Sequence, residues 1–328
     1  QGLTVKNASH VTMANGTGLN AIGFPNQPCI VARLPGSNNL YYVFTLVGNG
    51  WPGGLQYSIV DMSLAAGMGS VTVKNVTVTS VALDEKLSGT MHCNGRDVWI
   101  VVRERDTLTY MAFLLTANGV NLTPVISSFP GPLTTEVKTG MKFSPSGNKL
   151  ADISRYWPSS RFTLSIFDFD NTTGVVSNYQ PLQGIVEQAT GSPEFSPDGS
   201  KVYVGENNYS FQSYLHQWDI CAGNLNAILA SHYSVATTPA PMLQLAINGK
   251  IYVTESGFNS LGVINDPNGA GLACNYVSNG QSLGSNFSTN ALPNFINRYQ
   301  TATPTIASAP APGIACHAMT FTALTVPN

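Results

Sequence analysis

The chain has 328 residues, of which 43% are hydrophobic and 10% charged, with a formal net charge of -2. Typical soluble proteins carry roughly 25% charged residues, so the surface must be made polar mainly by Asn, Ser, Thr and Gly, a profile that suits an extracellular β-protein. The absence of any basic cluster excludes nucleic-acid binding through phosphate neutralisation, and no run of about 18 apolar residues exists to insert in a membrane.

The elements repeat along the chain. A first strand is predicted over residues 2–11. The polar turn Gly36-Ser37-Asn38-Asn39 then leads into Leu40-Tyr41-Tyr42-Val43, and a partner strand follows over 55–61. The same pairing recurs with Asn94-Gly95-Arg96-Asp97 before Val98-Trp99-Ile100 and a partner over 110–114. Ser146-Gly147-Asn148-Lys149 precedes Leu150, with a partner over 164–168. Asp198-Gly199-Ser200-Lys201 precedes Val202-Tyr203-Val204, with a partner over 215–219. Asn248-Gly249-Lys250 precedes Ile251-Tyr252-Val253, with a partner over 261–266. The anchors Leu40, Val98, Leu150, Val202 and Ile251 are 58, 52, 52 and 49 residues apart. Asn-Gly and Asp-Gly supply the positive φ of a tight hairpin turn, and Val, Ile, Tyr and Trp favour the strand after it.

Three or four short strands per roughly 50 residues, without helical periodicity, are the signature of propeller blades. The predicted fold is all-β, a WD40-like β-propeller of six or seven four-stranded blades over residues 1–300. Residues 2–11 and Leu292-Pro293-Asn294-Phe295-Ile296 are read as parts of a further blade. Residues 301–313 read as a Pro/Ala/Thr linker, and 314–328 as the first strand of an Ig-like domain or a tail. Gln1 fits a mature N-terminus left by signal cleavage or the start of a fragment.

Several words carry a family resemblance: Gly54-Leu55-Gln56-Tyr57-Ser58-Ile59-Val60-Asp61, Phe167-Asp168-Phe169-Asp170-Asn171, Phe195-Ser196-Pro197-Asp198-Gly199, Ala273-Cys274-Asn275-Tyr276 and Leu292-Pro293-Asn294-Phe295-Ile296. In this order they resemble the WD40-like propeller region of large Bacteroidota cell-surface proteins. Such proteins commonly continue into PKD or Ig-like repeats and a gliding-motility-associated, type IX secretion sorting domain. The resemblance implies a secreted module at the bacterial cell surface. Its partners would be other domains of the same long protein, a surface polysaccharide or another surface protein. An incomplete ring invites self-assembly into a filament by strand addition.

The five cysteines (Cys29, Cys93, Cys221, Cys274, Cys316) form no CxxC pair, which argues against a zinc or redox site. Cys221 with Cys274 is the expected disulfide. The five histidines are dispersed, and neither a GxSxG elbow, an HExxH pair nor a phosphate-binding loop occurs. Asp168, Asp170 and Asn171 lack the closing Glu of a calcium loop and read as a hairpin turn. Arg103, Glu104 and Arg105 read as a solvated turn. No metal or cofactor is expected. The ligand-binding candidates are aromatics in connections between strands: Trp51, Tyr156, Trp157, Tyr209 and Phe211, suited to stacking on sugars or gripping a peptide. The expected function is therefore a non-catalytic binding or structural module, not an enzyme. A polysaccharide-active hydrolase or lyase with its site at the channel mouth is the alternative.

Overall fold

The computed structural model describes residues 4–21, 28–47, 53–130, 139–155, 162–186, 189–207, 213–238, 241–288 and 292–296. They form five antiparallel sheets in succession along the chain. Sheet one holds β1 (Cys29–Arg33), β2 (Leu40–Leu46), β3 (Leu55–Asp61) and β4 (Ser70–Thr79). Sheet two holds β5 (Leu83–Met91), β6 (Val98–Glu104), β7 (Thr109–Thr116), β8 (Gly119–Val120) and β9 (Val125–Ser128), the last two both pairing with β7. Sheet three holds β10 (Met141–Phe143), β11 (Lys149–Arg155), β12 (Phe162–Asp170) and β13 (Val175–Val186). Sheet four holds β14 (Ala189–Phe195), β15 (Lys201–Asn207), β16 (Ser213–Asp219) and β17 (Tyr233–Thr237). Sheet five holds β18 (Leu243–Leu245), β19 (Ile251–Thr254), β20 (Ser260–Ile264) and β21 (Tyr276–Ser282). Among the described residues the one α-helix is α1 (Leu225–Ala230), capped by the Asn224 side chain, which accepts from Ala227 N.

Each anchor read from the sequence lies in, or at the start of, the second strand of a sheet, and each predicted partner overlaps the third. The reason is local. Gly147 and Gly199 both take φ +72°, which an L side chain resists, and their N–H groups donate to Ser144 O and Ser196 O at 2.9 Å. The hydroxyls of Ser144 and Ser196 accept from the backbone N–H of Lys149 and Lys201. The two lysines then pair with Asp168 and Asp219 directly across the strands, and Lys250 donates to Asn265 in the same place. One turn motif thus sets the register of three sheets.

Each sheet packs on the next through its own core. Phe44, Leu55, Ile100 and Phe113 fill the wall between sheets one and two, and Trp99, Phe143, Leu150 and Phe167 the wall between two and three. Ile153, Leu164, Val204 and Trp218 fill the wall between three and four, and Tyr203, Leu215, Val253 and Ile264 the wall between four and five. Burying one such side chain is worth about 1.5–3 kcal/mol. The first strands adjoin in order, β5 beside β10, β10 beside β14 and β14 beside β18.

Two expectations are corrected. Residues 292–296 adopt no strand but lie as an irregular strap against the first strands. The amino-terminal segment is a small hairpin with one antiparallel bridge, Lys6 to Thr12, and one parallel bridge, Ala14 to Ser70, rather than a blade strand. Its Met13 and Leu19 are buried against Val43, Val60 and Val71, on the face of sheet one turned away from sheet two. The described residues thus contain five sheets. The expected linker (301–313) and Ig-like strand (314–328) lie outside them.

Candidate functional site

Trp51 falls between β2 and β3, Tyr156 and Trp157 between β11 and β12, and Tyr209 and Phe211 between β15 and β16. All five lie outside the described residues. Chain connectivity gives each the connection from the second to the third strand of its sheet. In sheet two the expected solvated turn at Arg103 is corrected, since Arg103 lies within β6. Arg103 is 2% exposed. On β6 the residues Val98, Ile100 and Val102 face sheet one, so strand alternation turns Trp99, Val101 and Arg103 toward sheet three.

There Arg103 enters a buried ionic cluster. Its Nε donates to Asp84 Oδ2 and its Nη1 to Asp152 Oδ2, both at 2.8 Å. Lys86, on the same face of β5 as Asp84, pairs with Asp152 and donates to Ile153 O at 2.6 Å and Ser154 Oγ at 3.1 Å. The Tyr110 hydroxyl donates to Asp152 Oδ2 at 2.6 Å. Burial pushes the Asp152 carboxyl up, but Arg103 and Lys86 outweigh it and hold it below the usual carboxylate range. Burial and the Arg103 charge pull the Lys86 ammonium down to about 8, against the attraction of Asp152 and Asp84. Burial, then the Asp152 charge, pushes the Tyr110 phenol well up. Every member is buried, so the cluster pins β5 to β11 and presents nothing to a ligand. The sequence signal, Asp-Glu-Lys in a first strand, was present but reads as solvent-facing without the partner strand.

A second polar line crosses the first strands of sheets three to five. Glu194 accepts from Phe195 N and Leu245 N, both at 3.0 Å, and pairs with Lys142 Nζ at 3.3 Å. Lys142 also donates to Gln244 Oε1 at 3.2 Å. Asn294 of the strap donates to Leu87 O at 2.8 Å on β5. Lys142, Ser192, Leu243 and Asn294 line a small pocket between the strap and β10, β14 and β18.

The third feature joins residues that sequence reasoning treated as separate. Glu206 Oε2 lies 2.6 Å from His216 Nε2, and His216 Nδ1 lies 3.0 Å from His232 Nε2. With Glu206 ionised and His216 in its neutral tautomer, His216 donates from Nε2 and accepts at Nδ1, and His232 donates from Nε2. That chain leaves the His232 Nδ1 lone pair free of the relay. His232 stacks on Trp218 with centroids 4.9 Å apart. Burial, then His216, lowers the His232 pKa, and Glu206 partly offsets them. The signal was hidden because β16 and the residue preceding β17 meet only after α1 has turned the chain.

The remaining candidates settle as turns or packing. Asp170 accepts from Thr173 Oγ1 and Thr172 N, so its carboxyl is held low by those bonds. The expected Cys221–Cys274 disulfide is corrected: Cys221 is disulfide-bonded, whereas Cys274 is a free, buried thiol. Cys221 packs on the core between sheets three and four, and Cys274 on the core between four and five. The two faces of a sheet hold their side chains too far apart for an S–S bond. Among the described residues no group of three His, Cys, Asp or Glu is placed to hold a metal ion, and no helix is long and apolar enough to cross a membrane.

No family model matches the chain, and no curated protein does. Solved structures do. The lectin BP39L of Burkholderia pseudomallei is 11% identical at TM-score 0.47, covering 79% of this chain and 71% of that one. Sqt1 of Chaetomium thermophilum is 14% identical at TM-score 0.46, covering 80% and 64%, so the chain spans under two thirds of that protein. The periplasmic gluconolactonase PpgL of Pseudomonas aeruginosa is 14% identical at TM-score 0.43, covering 80% and 73%. The expectation that the chain is not an enzyme is corrected here: two of the histidines read as dispersed assemble with a glutamate, so that reason for excluding catalysis falls away.

Proposed function

We propose that the five sheets are five blades of a β-propeller of six or seven blades, and that this propeller is a binding module of a large bacterial surface protein. The ligand is a surface polysaccharide or another surface protein. One observation carries the reading: five successive meander sheets stack through separate cores with their first strands adjoining, which leaves the second-to-third connections as a set of corresponding loops. Three of those connections hold the aromatic candidates, and a rigid sheet array is the kind of scaffold on which binding loops are displayed. Membership of the Bacteroidota surface family, and an extracellular location, rest on the sequence words alone. The test is a glycan-array screen of the purified chain beside Trp51→Ala. Binding that vanishes in the variant supports the reading; glycan binding that Trp51→Ala leaves intact sinks the aromatic connections as its seat.

A second reading, a polysaccharide-active hydrolase or lyase, is favoured by the Glu206–His216–His232 chain, which leaves a neutral imidazole with an unengaged lone pair able to accept a proton. It lies on β15, β16 and the residue preceding β17 of sheet four. Release of reducing ends from polysaccharides, lost in His232→Ala, is the result it requires.

A further inference from the structure

We infer that Cys221 is bonded to Cys316, and that this disulfide anchors the carboxy-terminal segment to sheet four and clasps sheet five. The count of thiols names the partner. The chain has five cysteines. Cys29, Cys93 and Cys274 are free, and Cys221 is disulfide-bonded, which within one chain leaves Cys316. Forming the bond takes an oxidant that itself carries a disulfide. One protein thiolate attacks that disulfide and expels a thiol; the other attacks the mixed disulfide so formed and expels the second. The two protein thiols are oxidised, and the oxidant leaves as two thiols.

The path of the strap agrees with that partner. Cys221 follows β16, which ends at Asp219 opposite Lys201, beside the Gly199 turn. It is half-buried against the core between sheets three and four. The turns of successive sheets share one end of the molecule, with Gly147 against Thr90, Gly199 against Ser144 and Gly249 against Pro197. The strap heads for that end. Asn294 meets Leu87, whereas Ile296 meets Gly89, nearer the Asn94-Gly95 turn. The 19 residues between Ile296 and Cys316 reach up to roughly 65 Å, about three times the radius of gyration of ~20 Å for a compact chain this long.

The loop closed by the bond, residues 221–316, holds α1, β17, sheet five and the strap. Sheet five packs on sheet four through one face, and among the described residues no core lies on its other face. Closing the loop lowers the entropy that sheet five gains by coming away, so the bond holds it against sheet four.

The test is a non-reducing tryptic map of the full chain, exported to an oxidising compartment and alkylated on denaturation. Cleavage after Lys and Arg puts each cysteine on its own peptide, Cys221 on 202–250 and Cys316 on 299–328. These are expected as one linked species that reductant splits, with Cys29, Cys93 and Cys274 alkylated. Cys316→Ser should open Cys221 to alkylation. It should also speed amide exchange several-fold in β18–β21 while leaving β2 and β6 unchanged. Alkylated Cys221 and Cys316 in wild type, Cys316 joined to a different cysteine, or Cys221 joined to a second copy in a reductant-sensitive dimer overturns the bond. Exchange in β18–β21 that Cys316→Ser does not move overturns the clasp.

Discussion

Two walls of the molecule are built on the two faces of the same strands, and one of them adds a buried ionic cluster to its apolar core. Toward sheet one, β5 and β6 present Leu83, Leu87, Val98, Ile100 and Val102 to an apolar core. Toward sheet three β6 gives Trp99 and Val101 to a second apolar core, and beside it Asp84, Lys86 and Arg103 meet Asp152, Ser154 and Tyr110. The apolar wall gains by removing carbon from water and tolerates any side chain of suitable volume. The ionic wall must satisfy every charge at once, because a buried ion without its partner is far costlier than a lost methyl group. The first wall therefore supplies stability, and the second fixes one arrangement of neighbouring sheets. The wall between sheets three and four lies between these extremes, apolar at its centre with Glu206 and His216 among its buried residues.

The sharpest way to break the comparison is the smallest chemical change in each wall. Asp152→Asn keeps shape and removes only charge, leaving Lys86 and Arg103 with one carboxylate between them. We expect a loss of about 4 kcal/mol in urea denaturation, the range for a broken buried pair. A loss below about 1 kcal/mol would mean the cluster is a bystander.

The pH profile separates the walls next. Lys86 releases its proton near pH 8 when folded and near 10.5 when unfolded. Across that window the unfolded chain binds more protons, so this group makes stability rise with pH. Tyr110, held protonated by burial, reverses the trend above about pH 10, where an unfolded tyrosine ionises. The wild-type urea midpoint should thus climb from pH 8 toward 10 and then fall. In Lys86→Met the climb should be absent, each protein being compared with its own value at pH 8.

Ile100→Val takes one methylene from the apolar wall and should cost about 1 kcal/mol with an unchanged pH profile. The smallest effect is in the third wall. By NMR, His232 should titrate below the ordinary histidine range, and Glu206→Gln should lower it further by removing the charge that favours the imidazolium. A rise in Glu206→Gln would mean that the chain of hydrogen bonds does not connect the three residues.

How much of this was legible depends on how far apart the partners lie in the chain. The Ser-Pro-x-Gly turns, their lysines and the cross-strand aspartates sit within 25 residues of one another, and the repeat exposes them. Trp51 and the other aromatic candidates could be assigned to connections because strand spacing alone does that. Lys86 with Asp152, His216 with His232 and Leu87 with Asn294 could not be paired, since the first and last join distant parts of the chain and the second depends on the path of α1. The disulfide expectation failed for a related reason: Cys221 and Cys274 are 53 residues apart, about one sheet's length, yet the sheet itself stands between them.

Local chemistry in the sequence by itself determined the strands, their turns and the succession of sheets, because Gly at positive φ and alternating β-branched residues act within a hairpin. Only the tertiary structure decided which charges are buried, which thiol is free and what lies against the first strands. Those outcomes depend on which faces meet when sheets stack, and a strand's alternation names its two faces without saying what each will find.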